Sequence, residues 1–208
     1  MDAYEKRLRY GHSEFFGRIA VPFYSTTVRV DVTELYARAK ARGIPFYYAM
    51  MWATMRAVNS VPAYLYEVRD GILQKAEKRD PSYTYLYEEE IFGIAGVAWQ
   101  AGESPEAFTE RCRRAEANNE SPLPTLEADA AGCDVYISSL PWFDYEHVAQ
   151  EFDLNGEDST PRILWGRFTK GADDRLTLAY TVQVNHRFID GIHIKQLLDA
   201  LRLAMEEF

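Results

Sequence analysis

The chain has 208 residues, of which 47% are hydrophobic, and this length and composition predict a single domain over residues 1–208 with a substantial core. Its net charge of -9, with no basic run to offset it, argues against nucleic acid and anionic membrane surfaces as partners. No apolar run is long enough to span a bilayer and the N-terminus is charged, so we expect no transmembrane helix, no signal peptide and a cytoplasmic protein.

The cysteines and histidines do not suggest a metal site. Cys112 and Cys133 are the only cysteines in the sequence, and they form neither a Cys-x-x-Cys pair nor a disulfide framework. The four histidines lack the close spacing of metal ligands, so we expect no bound metal.

The first elements in chain order are a strand and two helices. Residues 26–32 alternate as a strand, and Asp31 with Glu34 predicts a capping box for a helix that ends near Arg42. A second helix is predicted over 46–58, where apolar residues occupy nearly every face. We therefore expect this second helix to be buried on most sides.

A hairpin and a tyrosine-rich strand follow. Asp70 and Gly71 favour a tight turn between strands 64–69 and 72–76. Residues 83–87 alternate tyrosine with other residues, a pattern typical of sheet packing or, alternatively, of a ligand platform.

The middle of the chain contains a helix, a loop and a strand. Ser104 followed by Pro105 predicts a helix from 105 to about 117. Residues 118–132 are rich in proline and small residues and are expected to form a long loop, either a binding loop or a disordered excursion. The next strand is predicted over 133–139.

The C-terminal block is a strand, a turn and a helix. Residues 176–184 alternate apolar and polar side chains, and apolar residues recur every three or four positions from Ile194 to Phe208. Between them, His186 lies on the turn and Asp190 stands at the helix N-cap position. From the residues alone, His186 is either a core histidine at a strand end or a general base on a rigid turn.

Three short motifs make the chain resemble the chloramphenicol acetyltransferases. His-x-x-x-Asp-Gly, here His186 to Gly191, is similar to the motif of these enzymes, of lipoamide acyltransferase cores and of peptide-synthetase condensation domains, which all transfer an acyl group from a thioester. An early Arg-x-x-His, Arg9 to His12, and a Ser-x-x-Pro-Trp turn, Ser138 to Trp142, favour the chloramphenicol enzymes. The resemblance covers nearly the whole chain and implies an α/β (α+β) two-layer sandwich, a mixed β-sheet covered by helices.

The resemblance implies an acetyl-CoA-dependent O-acetyltransferase in which His186 removes the proton of the acceptor hydroxyl in a ternary complex, with no acyl-enzyme. It also implies that the Ser138 hydroxyl stabilises the tetrahedral intermediate, and that Asp190 points away from the reacting centre and pairs with Arg9. The family further implies a homotrimer with active sites between subunits. Without the resemblance, Ser138 would be an ordinary strand-end serine and Arg9 a solvated surface residue.

The resemblance also suggests binding residues. The acceptor pocket loosens the match, because two of its positions are polar where the family is apolar, and Asn185 replaces a histidine that usually precedes the catalytic one. The acceptor is thus chloramphenicol or another small hydroxyl compound. Coenzyme A contacts are expected at Trp142, Tyr47, Arg167 and Phe168, each of which could equally be core or surface, and acceptor contacts at Phe16, Tyr24, Phe92, Gln150 and Arg162.

Two other functions stay open at this point. The first is a lipoamide acyltransferase core, although the sequence shows no lipoyl domain or flexible linker. The second is a non-catalytic trimer that keeps the fold and binds a ligand or partner.

Overall fold

The computed structural model describes residues 11–124, 134–154 and 158–208, so Arg9, Cys133 and positions 125–132 of the predicted loop lie outside the described residues. The helices are α1 (His12–Gly17), α2 (Thr33–Ala41), α3 (Phe46–Ser60), α4 (Pro105–Ala117) and α5 (Gly191–Glu207), with a short 3-10 helix at Pro62–Leu65. The strands are β1 (Phe23–Asp31), β2 (Tyr66–Arg69), β3 (Ile72–Lys75), β4 (Asp80–Glu88), β5 (Ile91–Gly96), β6 (Asp134–Leu140), β7 (Arg162–Gly166), β8 (Thr169–Lys170) and β9 (Leu176–Asn185).

The large sheet has the order β1-β9-β7-β6-β4-β5, with β8 paired to β9, and β2 and β3 form a separate hairpin. Strand β6 runs parallel to both β4 and β7, and the other pairs are antiparallel. This mixed sheet, with α3 and α5 packed against it, confirms the predicted fold class. No helix among the described residues is both long and apolar enough to cross a membrane.

The main core lies between the sheet and the helices. The alternate residues Leu178, Tyr180, Val182 and Val184 of β9 are all fully buried in it. Helix α3 is buried on most sides, as predicted, and its Met50, Met51, Ala53, Met55 and Val58 are 0% exposed. Since full burial of one such aliphatic side chain stabilises the fold by about 1.5–3 kcal/mol, this helix anchors the C-terminal strand and helix.

The other face of the sheet is polar, and it is also buried. Gln183 is only 3% exposed, because a covering segment, residues 144–154 and 158–161, lies along this face. Its side-chain oxygen accepts from the Gln150 N–H at 2.8 Å and its amide nitrogen donates to the Gln150 carbonyl at 2.9 Å. The Tyr145 hydroxyl similarly donates to the Leu164 carbonyl at 2.9 Å. The polar residues of β9 thus hold the covering segment on the sheet. The alternating pattern had predicted that only one face of this strand is buried.

The sequence predicted several element boundaries well. The turn at Asp70 and Gly71 has φ of 52° and 72°, the left-handed pair of a tight hairpin, and Ser104 caps α4 by accepting from the Ala107 N–H. The capping box of Asp31 and Glu34 was wrong. Asp31 ends β1, and its carboxylate accepts from the N–H of Thr33 at 3.0 Å and from the Thr33 hydroxyl at 2.6 Å, which lowers the pKa of Asp31.

Candidate active site

The turn that carries His186 is held at both of its ends. The Asn185 carbonyl accepts from the N–H groups of Phe188 and Ile189, at 3.1 and 3.2 Å, and the His186 N–H donates to the Pro22 carbonyl at 2.7 Å. The Tyr24 hydroxyl donates to the Ile189 carbonyl at 3.2 Å. His186 therefore lies on a turn that is fixed by backbone and side-chain bonds.

The imidazole of His186 contacts the carboxylate of Asp190, with Nε2 at 3.0 Å from Oδ1. A carboxylate only accepts, so this contact requires the proton on Nε2, and in the neutral ring the lone pair is then on Nδ1. The His186 side chain is 36% exposed and the Asp190 side chain 30%. A histidine that is oriented by a carboxylate and open to solvent differs from the core histidine that was the alternative interpretation. Asp190 also lies closer to the imidazole than the resemblance implied.

Two aromatic rings enclose the imidazole. The ring of Phe16 lies 3.9 Å from the imidazole centroid and that of Tyr24 lies 4.8 Å from it. Both residues were predicted as acceptor contacts, and the structure brings them to His186. They give the histidine an apolar surrounding on the sides that they cover.

Asp190 also starts helix α5, as predicted. Its backbone carbonyl accepts from the N–H of His193 at 2.9 Å, and its own N–H donates to Nδ1 of His193 at 2.8 Å, which is the side-chain bond of a capping box. Because these two bonds hold Asp190 to the first turn of the helix, the carboxylate that contacts His186 is fixed as well. His193 was not predicted in this role, since the sequence rule for the box expects Glu or Gln there.

Ser138 lies in strand β6 and contacts Thr84 of the neighbouring strand β4. The two hydroxyl oxygens are 2.8 Å apart, and the Thr84 carbonyl accepts from the Tyr47 hydroxyl at 2.7 Å. Burial raises the pKa of Tyr47 well above its ordinary value, so its hydroxyl stays protonated as a donor. Thr84 thereby connects a predicted catalytic residue to a predicted coenzyme A contact.

Three of the four predicted coenzyme A contacts line one cleft, of about 240 Å³. Tyr47 comes from the start of α3, and Arg167 and Phe168 follow the end of β7. Trp142 follows β6 at the same end of the sheet and is 69% exposed. The remaining lining is formed by Phe46, Ser139, Pro141, Trp165 and Gly166.

The cleft and His186 lie at opposite ends of the sheet. Strand β9 is antiparallel to β7, so the end of β9 that carries His186 adjoins the starts of β6 and β7, whereas the cleft lies at their ends. Ser138 pairs with Leu164, which pairs with Thr181. Two strand spacings, combined with the rise from Thr181 to Asn185, put Ser138 about 16 Å from the turn. One chain therefore does not bring Ser138 and His186 together.

The comparisons with known proteins agree with this fold. The family model "Chloramphenicol acetyltransferase" matches residues 3–202. The chain belongs to the chloramphenicol acetyltransferase family. It is accordingly an acyltransferase, and the family predicted from the three motifs is confirmed.

Among its relatives in the chloramphenicol acetyltransferase family, chloramphenicol acetyltransferase 2 of Escherichia coli is 26% identical over 86% of this chain and 84% of its own length. The chloramphenicol acetyltransferase of Bacillus pumilus is 25% identical over 97% of this chain and 91% of its own. A solved chloramphenicol acetyltransferase structure superposes with a TM-score of 0.85 at 21% identity, covering 95% of this chain and 94% of the other. A probable dihydrolipoamide acetyltransferase of Listeria monocytogenes has a TM-score of 0.65 at 15% identity, covering 100% of this chain and 93% of the other.

The other predicted acceptor residues of this family member lie on strands β5 and β7 and in the segment beside Gln183. Phe92 is 58% exposed on β5, the strand at the far side of the sheet from β9. Gln150 is held by Gln183 through its backbone. Arg162 is 4% exposed, and its guanidinium donates to Asp158 and to the carbonyls of residues 151 and 160. Arg162, which is polar at a position where the family is apolar, thus has its guanidinium paired within the chain.

The predicted pair of Asp190 with Arg9 stays a prediction, because Arg9 lies outside the described residues. Within the described parts of the chain, no group of three or more His, Cys, Asp or Glu side chains is arranged to hold a metal ion.

Proposed function

We propose that this chain, as a single domain, transfers the acetyl group of acetyl-CoA to a hydroxyl of chloramphenicol or a related small alcohol. The observation that carries the proposal is His186, a partly exposed histidine held 3.0 Å from a carboxylate on a rigid turn. The relatives that bear the name chloramphenicol acetyltransferase support the choice of acceptor.

His186 acts as the general base in this proposal. An alcohol attacks a thioester slowly at neutral pH unless its proton is removed as the new C–O bond forms, and a positioned base contributes about 10²- to 10⁴-fold. The neutral imidazole takes that proton, and the Asp190 carboxylate stabilises the resulting imidazolium. When the C–S bond breaks, the imidazolium returns the proton to the departing thiolate. No acyl-enzyme is formed, so Cys112, which is buried and has a pKa raised to about 12, has no role.

The Ser138 hydroxyl is proposed to donate to the oxygen of the tetrahedral intermediate. One fixed donor of this kind is worth about 2.7–4 kcal/mol. The contact with Thr84 supports the role, because Thr84 can accept or donate and so holds the serine side chain in one rotamer.

The cleft beside Tyr47, Arg167 and Phe168 is proposed to bind coenzyme A. Its apolar walls suit the pantetheine and adenine groups, and the exposed Arg167 can pair with a phosphate. The fit is supported by the cleft being open to solvent on the side of Arg167.

Two copies of the chain are proposed to share each active site, in a homotrimer. In one chain, Ser138 lies about 16 Å from the end of β9 that precedes His186, a distance that no proton transfer or hydrogen bond can span. A second copy that presents Ser138 and the cleft to His186 of the first removes this distance. Closed rings of such contacts are the ordinary form of a homo-oligomer whose interface joins two different surfaces.

The test is release of free thiol from acetyl-CoA across a panel of hydroxyl compounds that includes chloramphenicol and dihydrolipoamide. We expect turnover with at least one alcohol, and its loss by about 10²-fold or more in His186→Ala. The matched control is His147→Ala, since His147 is an exposed histidine that contacts only hydroxyls of β1 in the described structure. Equal turnover by His186→Ala and the parent would exclude the base. Transfer to dihydrolipoamide alone would favour the lipoamide function.

A further inference from the structure

The side chain of Asn185 connects the catalytic turn to the segment that covers the sheet. It is 2% exposed at the last position of β9. Its side-chain oxygen accepts from the N–H of Arg187 at 2.9 Å, and its amide nitrogen donates to the Asp158 carbonyl at 2.9 Å. A single buried amide therefore makes one bond to the turn and one to a distant part of the chain.

The bond to Arg187 is one of several by which Asn185 holds the backbone of the turn. The Asn185 backbone carbonyl already accepts from Phe188 and Ile189. With the side-chain bond, three consecutive N–H groups directly after His186 all donate to oxygens of Asn185. The backbone that follows His186 is therefore held by the residue that precedes it.

The bond to Asp158 attaches this turn to a rigid point. The Asp158 carboxylate pairs with the guanidinium of Arg162 at 2.5 and 3.1 Å, and both side chains are nearly buried, at 8% and 5% exposure. Arg162 also donates to two backbone carbonyls and lies over the rings of Phe23 and Tyr136. A bidentate buried pair with this many contacts has little freedom to move.

We infer that Asn185 is a positioning residue for the acetyl-transfer reaction. Its amide fixes the backbone around His186 against the Arg162–Asp158 pair, and so fixes the imidazole relative to the bound hydroxyl. This inference rests on the proposed role of His186 as the base. A displacement of about 1 Å at a reacting group can cost about 10²-fold in rate, so loss of this amide lowers kcat.

Gln183 provides a matched control on the same strand and the same face. It is 3% exposed, and it also fastens the covering segment, but both of its side-chain bonds go to the backbone of Gln150. Removal of either amide loosens the segment and lowers stability. Only removal of Asn185 also frees the turn of His186.

The first experiment compares Asn185→Ala with Gln183→Ala in the full chain, by steady-state kinetics and thermal melting. We expect both variants to melt at lower temperature. Asn185→Ala loses about 10²-fold in kcat with an unchanged KM for acetyl-CoA, whereas Gln183→Ala keeps the kcat of the parent. Equal kcat losses in the two variants would show that Asn185 only holds the covering segment on the sheet and does not position His186.

The second experiment separates positioning from folding by pH, with Asn185→Asp. The protonated carboxyl has the shape of the amide, and its O–H can donate to the Asp158 carbonyl, whereas the ionised form cannot donate. The charged and titratable groups around it are the Asp158 carboxylate with its partner Arg162, the side chains of Asp153 and Arg187, which line one pocket with Asn185, and the adjacent His186. We expect kcat of Asn185→Asp to fall as the pH rises and the introduced carboxyl ionises. Gln183→Glu should keep the pH profile of the parent.

The outcomes distinguish this inference from the proposed function. If His186→Ala is as active as the parent, the proposed function fails. If His186→Ala is inactive while Asn185→Asp and the parent share one pH profile, and Asn185→Ala matches Gln183→Ala, only the positioning role is wrong.

Discussion

The separation of His186 from Ser138 within one chain predicts complementation between two inactive variants. His186→Ala removes the proposed base and Ser138→Ala removes the proposed oxyanion donor, and each should lose at least about 10²-fold in activity. In a mixed oligomer, one subunit can supply an intact histidine and its neighbour an intact serine. A trimer that contains both variants has three sites, and the arrangement of its subunits makes one of them intact, so about one third of the sites in such a trimer recover.

The assay is co-expression of the two variants with different affinity tags, purification over both tags, and measurement of thiol release from acetyl-CoA. We expect the doubly tagged trimer to have roughly a third of the parent kcat per site, against a background near that of each variant purified alone. Variants that are mixed after purification, without subunit exchange, serve as the control. Activity of the doubly tagged oligomer no higher than that of the single variants would mean that each site lies within one chain.

Four further outcomes are expected. Asp190→Asn and Arg9→Ala each lower the melting temperature. If the two side chains pair, the fall in the double variant is smaller than the sum of the two single falls, and additive falls would exclude the pair. Asp158→Asn leaves a buried guanidinium without its carboxylate and costs about 3–5 kcal/mol in urea unfolding, so a loss below about 1 kcal/mol would contradict the burial argument. Arg167→Glu raises KM for acetyl-CoA about tenfold with kcat unchanged, by steady-state kinetics, and a change in kcat alone would place Arg167 elsewhere. Burial raises the pKa of Glu116 above its ordinary 4.5, so the stabilising contribution of this residue is complete below pH 4.5 and is lost as the pH rises through the raised pKa. In urea unfolding, the stability of Glu116→Gln relative to the parent should therefore increase as the pH rises. A difference that stays constant with pH would refute the shift.

Local signals predicted the fold where neighbouring residues decide it. Helix α4 begins at the predicted Pro105 because its serine cap and proline are adjacent in sequence. Strand β9 and helix α5 were also found within one or a few residues, because their periodicity is long and regular. Strands β5 and β7 were not predicted, since β7 is short, begins with Arg162 and is buried throughout, so it shows no alternation.

The candidate site was predicted in its residue types and not in its arrangement. The motif drew attention to His186 and Asp190, but their mutual contact was not predicted, because the resemblance implied that Asp190 points away from the reacting centre. The opposite placement of Ser138 depends on strand order and direction, which no local pattern encodes. The partners of Arg162 and Asn185 lie in the covering segment, whose described residues form no helix or strand, so hydrophobic periodicity could not predict these contacts.

Because β9 pairs with β7 in the antiparallel direction, the activity of the proposed enzyme depends on its assembly. In the proposed shared site, a chain that has not yet assembled has the base at one end of the sheet and the coenzyme A cleft at the other, so the two cannot act together. Turnover per chain would then fall steeply on dilution below the dissociation constant of the assembly. An inactive variant made in the same cell would also lower the activity of the intact chains with which it assembles.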